Sequence, residues 1–155
     1  MEVDLANVDN IIAQYKGEQG LLISVLQDIQ AELNYLPKEA LLKVSEGLDI
    51  PVSQVFSVAT FFKAFSLKPR GRHIIHVCMG TACHVRGAHR ITDKLQRDLE
   101  IKAGDTTPDL EFTLETVNCV GSCALGPIVV LDSEYHGQMN MEKTEKLLKD
   151  VGWRK

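Results

Sequence analysis

Four cysteines, and no others, stand in this chain: Cys78 and Cys83 in HVCMGTACHVRG, then Cys119 and Cys123 in VNCVGSCALGP. Four residues separate the first pair, three separate the second, and thirty-five lie between the pairs. Each pair follows an apolar run and sits in a Gly-rich turn. That pattern places all four thiols on loops at strand ends, where backbone can bend around a small inorganic object. The chemistry it predicts is the holding of a metal or iron–sulfur centre.

Three readings of the constellation compete. In the first, the four thiolates hold a [2Fe–2S] cluster, which needs two ligands per iron. Cys–x4–Cys is the opening spacing of one ferredoxin pattern. A rhomb of two irons is larger than a single ion, and the x4 and x3 spacings leave backbone room to pass around it. In the second, the same residues hold zinc, although structural zinc favours tighter pairs. In the third, the cysteines are buried and unliganded or form a redox dithiol, but no Cys–x2–Cys motif is present.

Gly80, Gly121 and Gly126 flank the candidate ligands. Glycine permits close backbone approach, so N–H groups can point at sulfur and tune the site. The hydroxyls of Thr81 and Ser122 are further candidate donors to sulfur. Two ferric ions, two sulfides and four thiolates sum to −2 oxidised and −3 reduced. Arg70, Arg72, Arg86 and Arg90 lie near the first pair in sequence and could offset that charge, dock a partner, or simply form a solvated face. A Rieske-type centre would need two histidine ligands beside two cysteines. Four cysteines are already present, so His73, His76, His84, His89 and His136 are not needed as ligands, and His76 reads as a packed or hydrogen-bonded strand residue. No GxGxxG after a strand, P-loop or nucleophile–base motif appears, so no nucleotide site or catalytic residue is assigned. A cluster alone would pass single electrons and transform no substrate.

The elements that must position the cysteines change character along the chain. Residues 1 to about 68 read as four short amphipathic helices. Val8, Ile11, Ile12 and Tyr15 fall at helical spacing, and Leu22, Val25, Leu26, Ile29 and Leu33 follow the 3.6-residue period. Gly17 and Gly20 separate these two. Pro37 opens a third helix as its first residue, with Leu41, Val44 and Leu48 inward; Pro51 opens a fourth, with Val55, Phe56, Ala59 and Phe62 inward. Such a bundle is thin for a free-standing core. Ser66–Arg72, punctuated by Pro69 and Gly71, marks a boundary, giving domains of 1–68 and 69–155.

Beyond it, HIIHVC is a strand ending at Cys78. Ala88, Ile91, Leu95 and Leu99 make a helix face, and AGDTTPD (103–109) is a loop. Phe112–Val117 is a second strand running into Cys119, Ile128–Leu131 a third, and Glu134–Met139 a fourth after a tight Asp132-Ser133 turn. Asn140 caps a last helix bearing Met141, Thr144, Leu148 and Val151 on one side. The fold class is α+β: a four-helix segment, then a β-α-β-β-β-α order of thioredoxin-like kind.

The totals bound the partners. Over 155 residues the net charge is −4, which argues against nucleic acid. Residues 1–68 hold 5 Lys/Arg and 9 Asp/Glu, whereas 69–155 hold 12 of each, so the cysteine-bearing half is neutral before any cofactor is counted. No apolar run reaches a membrane span, and the acidic start MEVDLANVDN lacks the features of a signal or transit peptide, so no membrane insertion and a cytoplasmic location are expected.

The stretches ATFFKAFSLKPRGRHIIHVCMGTACHVRG and VNCVGSCALGPIVVLD closely resemble a known family. It is the small thioredoxin-like [2Fe–2S] subunit of the NADH dehydrogenase module of respiratory complex I. The same subunit type occurs in NAD(P)-linked hydrogenases, including electron-bifurcating ones, and in NAD-linked formate dehydrogenases. The resemblance covers nearly the whole chain, and it implies that Cys78, Cys83, Cys119 and Cys123 bind one [2Fe–2S] cluster. One departure is Phe62, where the family's ATFY-like motif carries a hydroxyl. The resemblance also implies a partner: a larger flavoprotein subunit with FMN, NAD(H) and a [4Fe–4S] cluster, on which the N-terminal helices pack, together with further subunits. The implied function is electron transfer in an NAD(P)H-dependent oxidoreductase. A free [2Fe–2S] ferredoxin shuttle is the alternative, for which residues 1–68 would have little use.

Overall fold

The structure, a computed structural model, describes residues 6–15 and 21–153. The expected helix break at Gly17 and Gly20 lies outside the described residues, as do the first five positions of the N-terminal stretch. The chain divides into two compact units, Met1–Arg70 and Gly71–Lys155.

The first unit holds helices α1 (Ala6–Gln14), α2 (Leu22–Leu33), α3 (Lys38–Leu48) and α4 (Val52–Phe61). Their inward residues recur at three- and four-residue steps, so each helix turns one apolar stripe to a common centre. Val8, Val25, Leu26, Ile29, Leu41, Val44 and Val55 are fully buried there. Pro37 and Pro51 sit at the N-cap positions of α3 and α4, one residue earlier than expected. Each holds extended backbone before the helix, where a missing N–H costs nothing. Asn34 and Asp49 end α2 and α3 in the left-handed region, which short polar side chains tolerate. The segment after α4 is tied back by Gln30, whose amide donates to the Ala64 carbonyl at 2.6 Å and accepts from the Ser66 N–H at 2.7 Å. Phe62, expected inward, lies past the end of α4 and is partly exposed. The helix stops at Phe61, so the 3.6-residue period no longer aims the next side chain.

The second unit is built on a mixed four-stranded sheet: β1 (His73–Cys78), β2 (Phe112–Val117), β3 (Val129–Leu131) and β4 (Glu134–His136), in the order β2-β1-β3-β4. β1 and β2 run parallel, in register from His73 opposite Phe112 to Cys78 opposite Val117. A parallel pair needs a long crossover, and here α5 (Thr81–Val85) and α6 (Ala88–Leu99) supply it. β1–β3 and β3–β4 are antiparallel. The third and fourth strands are shorter than expected: Ile128 precedes β3, and β4 ends at His136. Asp132 and Ser133, both at positive φ, form the hairpin turn, which matches the right-handed twist of its strands. The last helix, α7 (Met141–Asp150), is capped as expected, with the Asn140 side chain accepting from the Lys143 N–H at 2.8 Å. Thr144 and Leu148 face inward from it, while Met141 is partly exposed. Ile75, Val77, Ile91, Leu95, Leu114, Ile128 and Leu148 form the core of this unit. Among the described residues no helix is long and apolar enough to cross a membrane.

Candidate metal centre

The parallel register brings the two cysteine pairs together. Cys78 is the last residue of β1, opposite Val117, and Cys119 follows two residues after β2 ends. The pairing continues past the strands: the Cys78 N–H donates to the Ile128 carbonyl at 3.0 Å and the Met79 N–H to the Val117 carbonyl at 2.8 Å. The end of β1 is thus held on both sides, toward each flank of the second cysteine loop.

The sequence predicts all four thiols on loops, and the structure corrects this. Cys83 lies inside α5, a helix of five residues, and Cys123 opens a single 3-10 turn, Cys123–Leu125. Only Cys119 occupies irregular chain. Cys78 and Cys83 are buried, whereas Cys119 and Cys123 are exposed. The arrangement is therefore half core and half surface, with the second pair toward solvent.

Backbone donors converge on the sulfurs. Burial pushes the Cys78 thiol up, but the backbone of Gly80 and Val120 and the side chains of Cys83 and Cys119 hydrogen-bond to it and together bring it below the ordinary thiol value. Cys83 moves the other way: burial raises it, and the Cys78 hydrogen bond adds to that, against one lowering contact from the Ile128 backbone. The Gly121 N–H donates to Cys119 Sγ at 3.3 Å, and Gly121 sits at φ +82°, a conformation that L side chains rarely adopt. Gly126 is needed for space: a Cβ there would stand 3.0 Å from Cys83 Sγ. Gly80 is tight as well, since a Cβ there would stand 3.0 Å from the Asn118 carbonyl oxygen and 3.5 Å from Cys119 Sγ.

Other candidates separate from the site. The Thr81 and Ser122 hydroxyls make no bond to cysteine sulfur among the described residues. His76 pairs with Glu115, its register partner on β2, at 3.3 Å. His73 Nδ1 meets Asp132 at 2.6 Å, and the rings of His84 and His89 lie near each other on exposed helix. Of the four arginines near the first pair, Arg86 reaches the second cysteine loop, donating to the Cys123 carbonyl at 2.8 Å. The sequence shows its charge but not this contact.

The donor set fits an iron–sulfur group: thiols only, in two pairs, with N–H groups directed at sulfur. A zinc ion would draw all four sulfurs to about 2.3 Å from one point. Among the described residues no group of three or more His, Cys, Asp or Glu side chains is gathered closely enough to hold a metal ion as it stands.

Comparison with known proteins agrees in kind. Residues 8–152 match the family described as thioredoxin-like [2Fe-2S] ferredoxin. The NADP-reducing hydrogenase subunit HndA of Solidesulfovibrio fructosivorans is 38% identical over 131 residues, covering 84% of this chain and 77% of that protein. A subunit of the NADH-quinone oxidoreductase of Pseudomonas aeruginosa is 33% identical over 147 residues, covering 95% of this chain and 89% of that protein. Among solved structures, an NAD+-reducing [NiFe]-hydrogenase in the air-oxidised state matches with a TM-score of 0.72 at 19% identity. That match covers 84% of this chain but only 22% of the solved chain, and it bears on the fold alone. Because the family match runs through the helical unit as well as the cysteine-bearing one, the whole architecture and not a motif alone makes this chain a member of the thioredoxin-like [2Fe–2S] ferredoxin family.

Proposed function

We propose that the chain is the electron-transfer subunit of an NAD(P)H-dependent multisubunit oxidoreductase, carrying one [2Fe–2S] cluster on Cys78, Cys83, Cys119 and Cys123. The observation that carries this reading is the parallel register of β1 and β2, which sets Cys78 opposite Val117, two residues before Cys119. Cysteines from pairs that lie far apart in the chain thus stand at the same end of the sheet. The names of the relatives, subunits of a hydrogenase and of a quinone oxidoreductase, support the setting. When bound, the cluster supplies one-electron transfer. The chain's own residues hold it, direct N–H groups at its sulfur ligands, and keep two ligands in the core and two at the surface.

The partner in this reading is a larger flavoprotein subunit holding FMN, NAD(H) and a [4Fe–4S] cluster, with residues 1–68 as the docking unit and the cytoplasm as the compartment. Phe61 supports a docking role: it is 80% exposed at the end of α4, edge-on to Phe62. A large apolar ring left in water beside a second aromatic is the kind of anchor that interfaces bury. The alternative, a free ferredoxin shuttle, leaves that ring without a purpose.

The purified chain, reconstituted with iron and sulfide, is expected to be red-brown, to bleach with dithionite and to give a [2Fe–2S] EPR signal. Cys119→Ser should sharply lower iron and sulfide per chain. A colourless protein with one stoichiometric zinc would sink the cluster assignment, and unchanged iron and sulfide in C119S would remove that residue from the ligand set.

A further inference from the structure

The loop that carries Cys123 has an unusual anchorage. Its 3-10 turn and the residue after it present four carbonyls, from Cys123, Ala124, Leu125 and Gly126. The Leu125 carbonyl accepts from the Gln138 N–H at 2.6 Å. The other three converge on one nitrogen: Arg86 Nη1 lies 2.8 Å from the Cys123 carbonyl and 3.3 Å from those of Ala124 and Gly126. Carbonyls grouped at the end of a turn make a small negative pole, and a guanidinium is the side chain best shaped to meet it.

The root of that arm is also fixed. Arg86 caps α5, three residues after Cys83, and Cys83 is buried in the core. The arm therefore ties a residue of the first pair's helix to the main chain of a residue of the second pair. Gly126 shows how close the three parts are: a Cβ on it would stand 3.0 Å from Cys83 Sγ and 3.5 Å from Arg86 Nη1. A positive charge thus lies beside the sulfur-bearing loop of a centre whose ligands are all anionic.

Resting on the cluster reading above, we propose that Arg86 is a positioning residue for the cluster. It staples the Cys123–Gly126 turn onto α5, and its charge favours the reduced, more negative state of the centre. A lysine keeps the charge but, as a point charge on a flexible stem, holds the three carbonyls less well. A glutamine keeps length and polarity without the charge.

The test compares the full chain with R86K and R86Q, each reconstituted identically. Three quantities are read: the rate at which an iron chelator bleaches the visible absorbance, the reduction potential from an EPR-monitored titration, and far-ultraviolet circular dichroism as a fold check. R86Q should lose its cluster about tenfold faster than wild type, the scale of one charge-assisted hydrogen bond. Its potential should shift negative. R86K should bleach at an intermediate rate with a potential near that of wild type. A merely structural contact would not move the potential in proportion to charge. R86Q with wild-type lability and potential overturns the proposal, and so does an R86K that fails to restore the potential. A wild-type chain that takes up no iron and sulfide would instead overturn the cluster reading beneath it, before any variant is compared.

Discussion

Gly126→Ala tests the site with one methyl group. Gly126 lies at φ −63° and ψ 151°, a region open to any residue, so the substitution carries no backbone strain. What it adds is a carbon 3.0 Å from Cys83 Sγ and 3.4 Å from the Cys123 carbonyl oxygen. Comfortable separations are about 3.5–4.0 Å, so roughly half an ångström must be found. Cys83 is 1% exposed and cannot retreat toward water. Overpacking of this kind costs about 1–3 kcal/mol, and the stiffer unfolded chain of an alanine variant returns about 0.4–1 kcal/mol. A net loss of about 1 kcal/mol corresponds to a midpoint lower by about 4–8 °C in a unit of this size. The cluster should suffer more than the fold, because metal–ligand distances tolerate only about 0.2 Å. Gly121→Ala is the matched control. Its φ of +82° imposes a conformational cost of about 1–2 kcal/mol, while nothing lies within 4 Å of its added carbon. Melting midpoints and iron and sulfide per chain, measured on both variants, separate the effects. Expected is a similar loss of stability in both, with the deeper loss of iron in G126A. A G126A chain that melts lower yet holds wild-type iron and sulfide would refute the reasoning, since crowding at Cys83 would then not reach the cluster.

Three further outcomes are expected. Asn140→Ala removes the α7 cap and should cost about 1 kcal/mol, read as a lower melting midpoint; an unchanged midpoint would show the cap to be idle. Phe61→Glu should leave stability within about 0.5 kcal/mol, as for most surface changes, yet abolish co-purification with the flavoprotein subunit proposed above as the partner; retained association would place the interface elsewhere. The Asp109 carboxyl is held below its usual value, first by the Thr107 hydroxyl and then by the Glu111 N–H at 3.1 Å. A depressed carboxylate stabilises the fold above the unfolded value, and that contribution fades as pH falls through the folded one. Asp109→Asn should therefore be less stable than wild type near neutrality and equal to it in strong acid. A gap that does not narrow on acidification would assign the effect to something other than ionisation.

What was legible in the sequence follows the range of the forces involved. Helices α1 to α4 and α6 could be read because each repeats an apolar stripe over two turns or more, and β1 because HIIHVC is a short apolar run closed by glycine. α5 could not. Thr81–Val85 is too short to show a period, and it helixes between Gly80 and Gly87 because the crossover must turn there. Phe62 escapes the pattern for a related reason: a period says nothing about where a helix ends, and α4 stops at Phe61. The four cysteines were visible as residue types at telling spacings, and the family resemblance joined them into one site. The grip of Arg86 on the Cys123 turn was not visible, because it spans thirty-seven positions and engages carbonyls, which every residue has. The same holds for the Gly80 and Val120 contacts at Cys78.

The parallel alignment of β1 and β2 couples cofactor binding to folding. Neither pair of thiols lies near the other along the backbone; they come to the same end of the sheet only once the crossover has closed and the two strands have zipped to their Cys78–Val117 end. A group gripping residues 78 and 123 then encloses about 45 positions, which in a chain-entropy picture of cross-links is worth about 4 kcal/mol against the denatured ensemble. An unfolded chain can offer only one pair at a time and forgoes that advantage. The cluster is in this sense a clasp as well as a conductor, and iron withdrawn from it should loosen the sheet that brought the cysteines together.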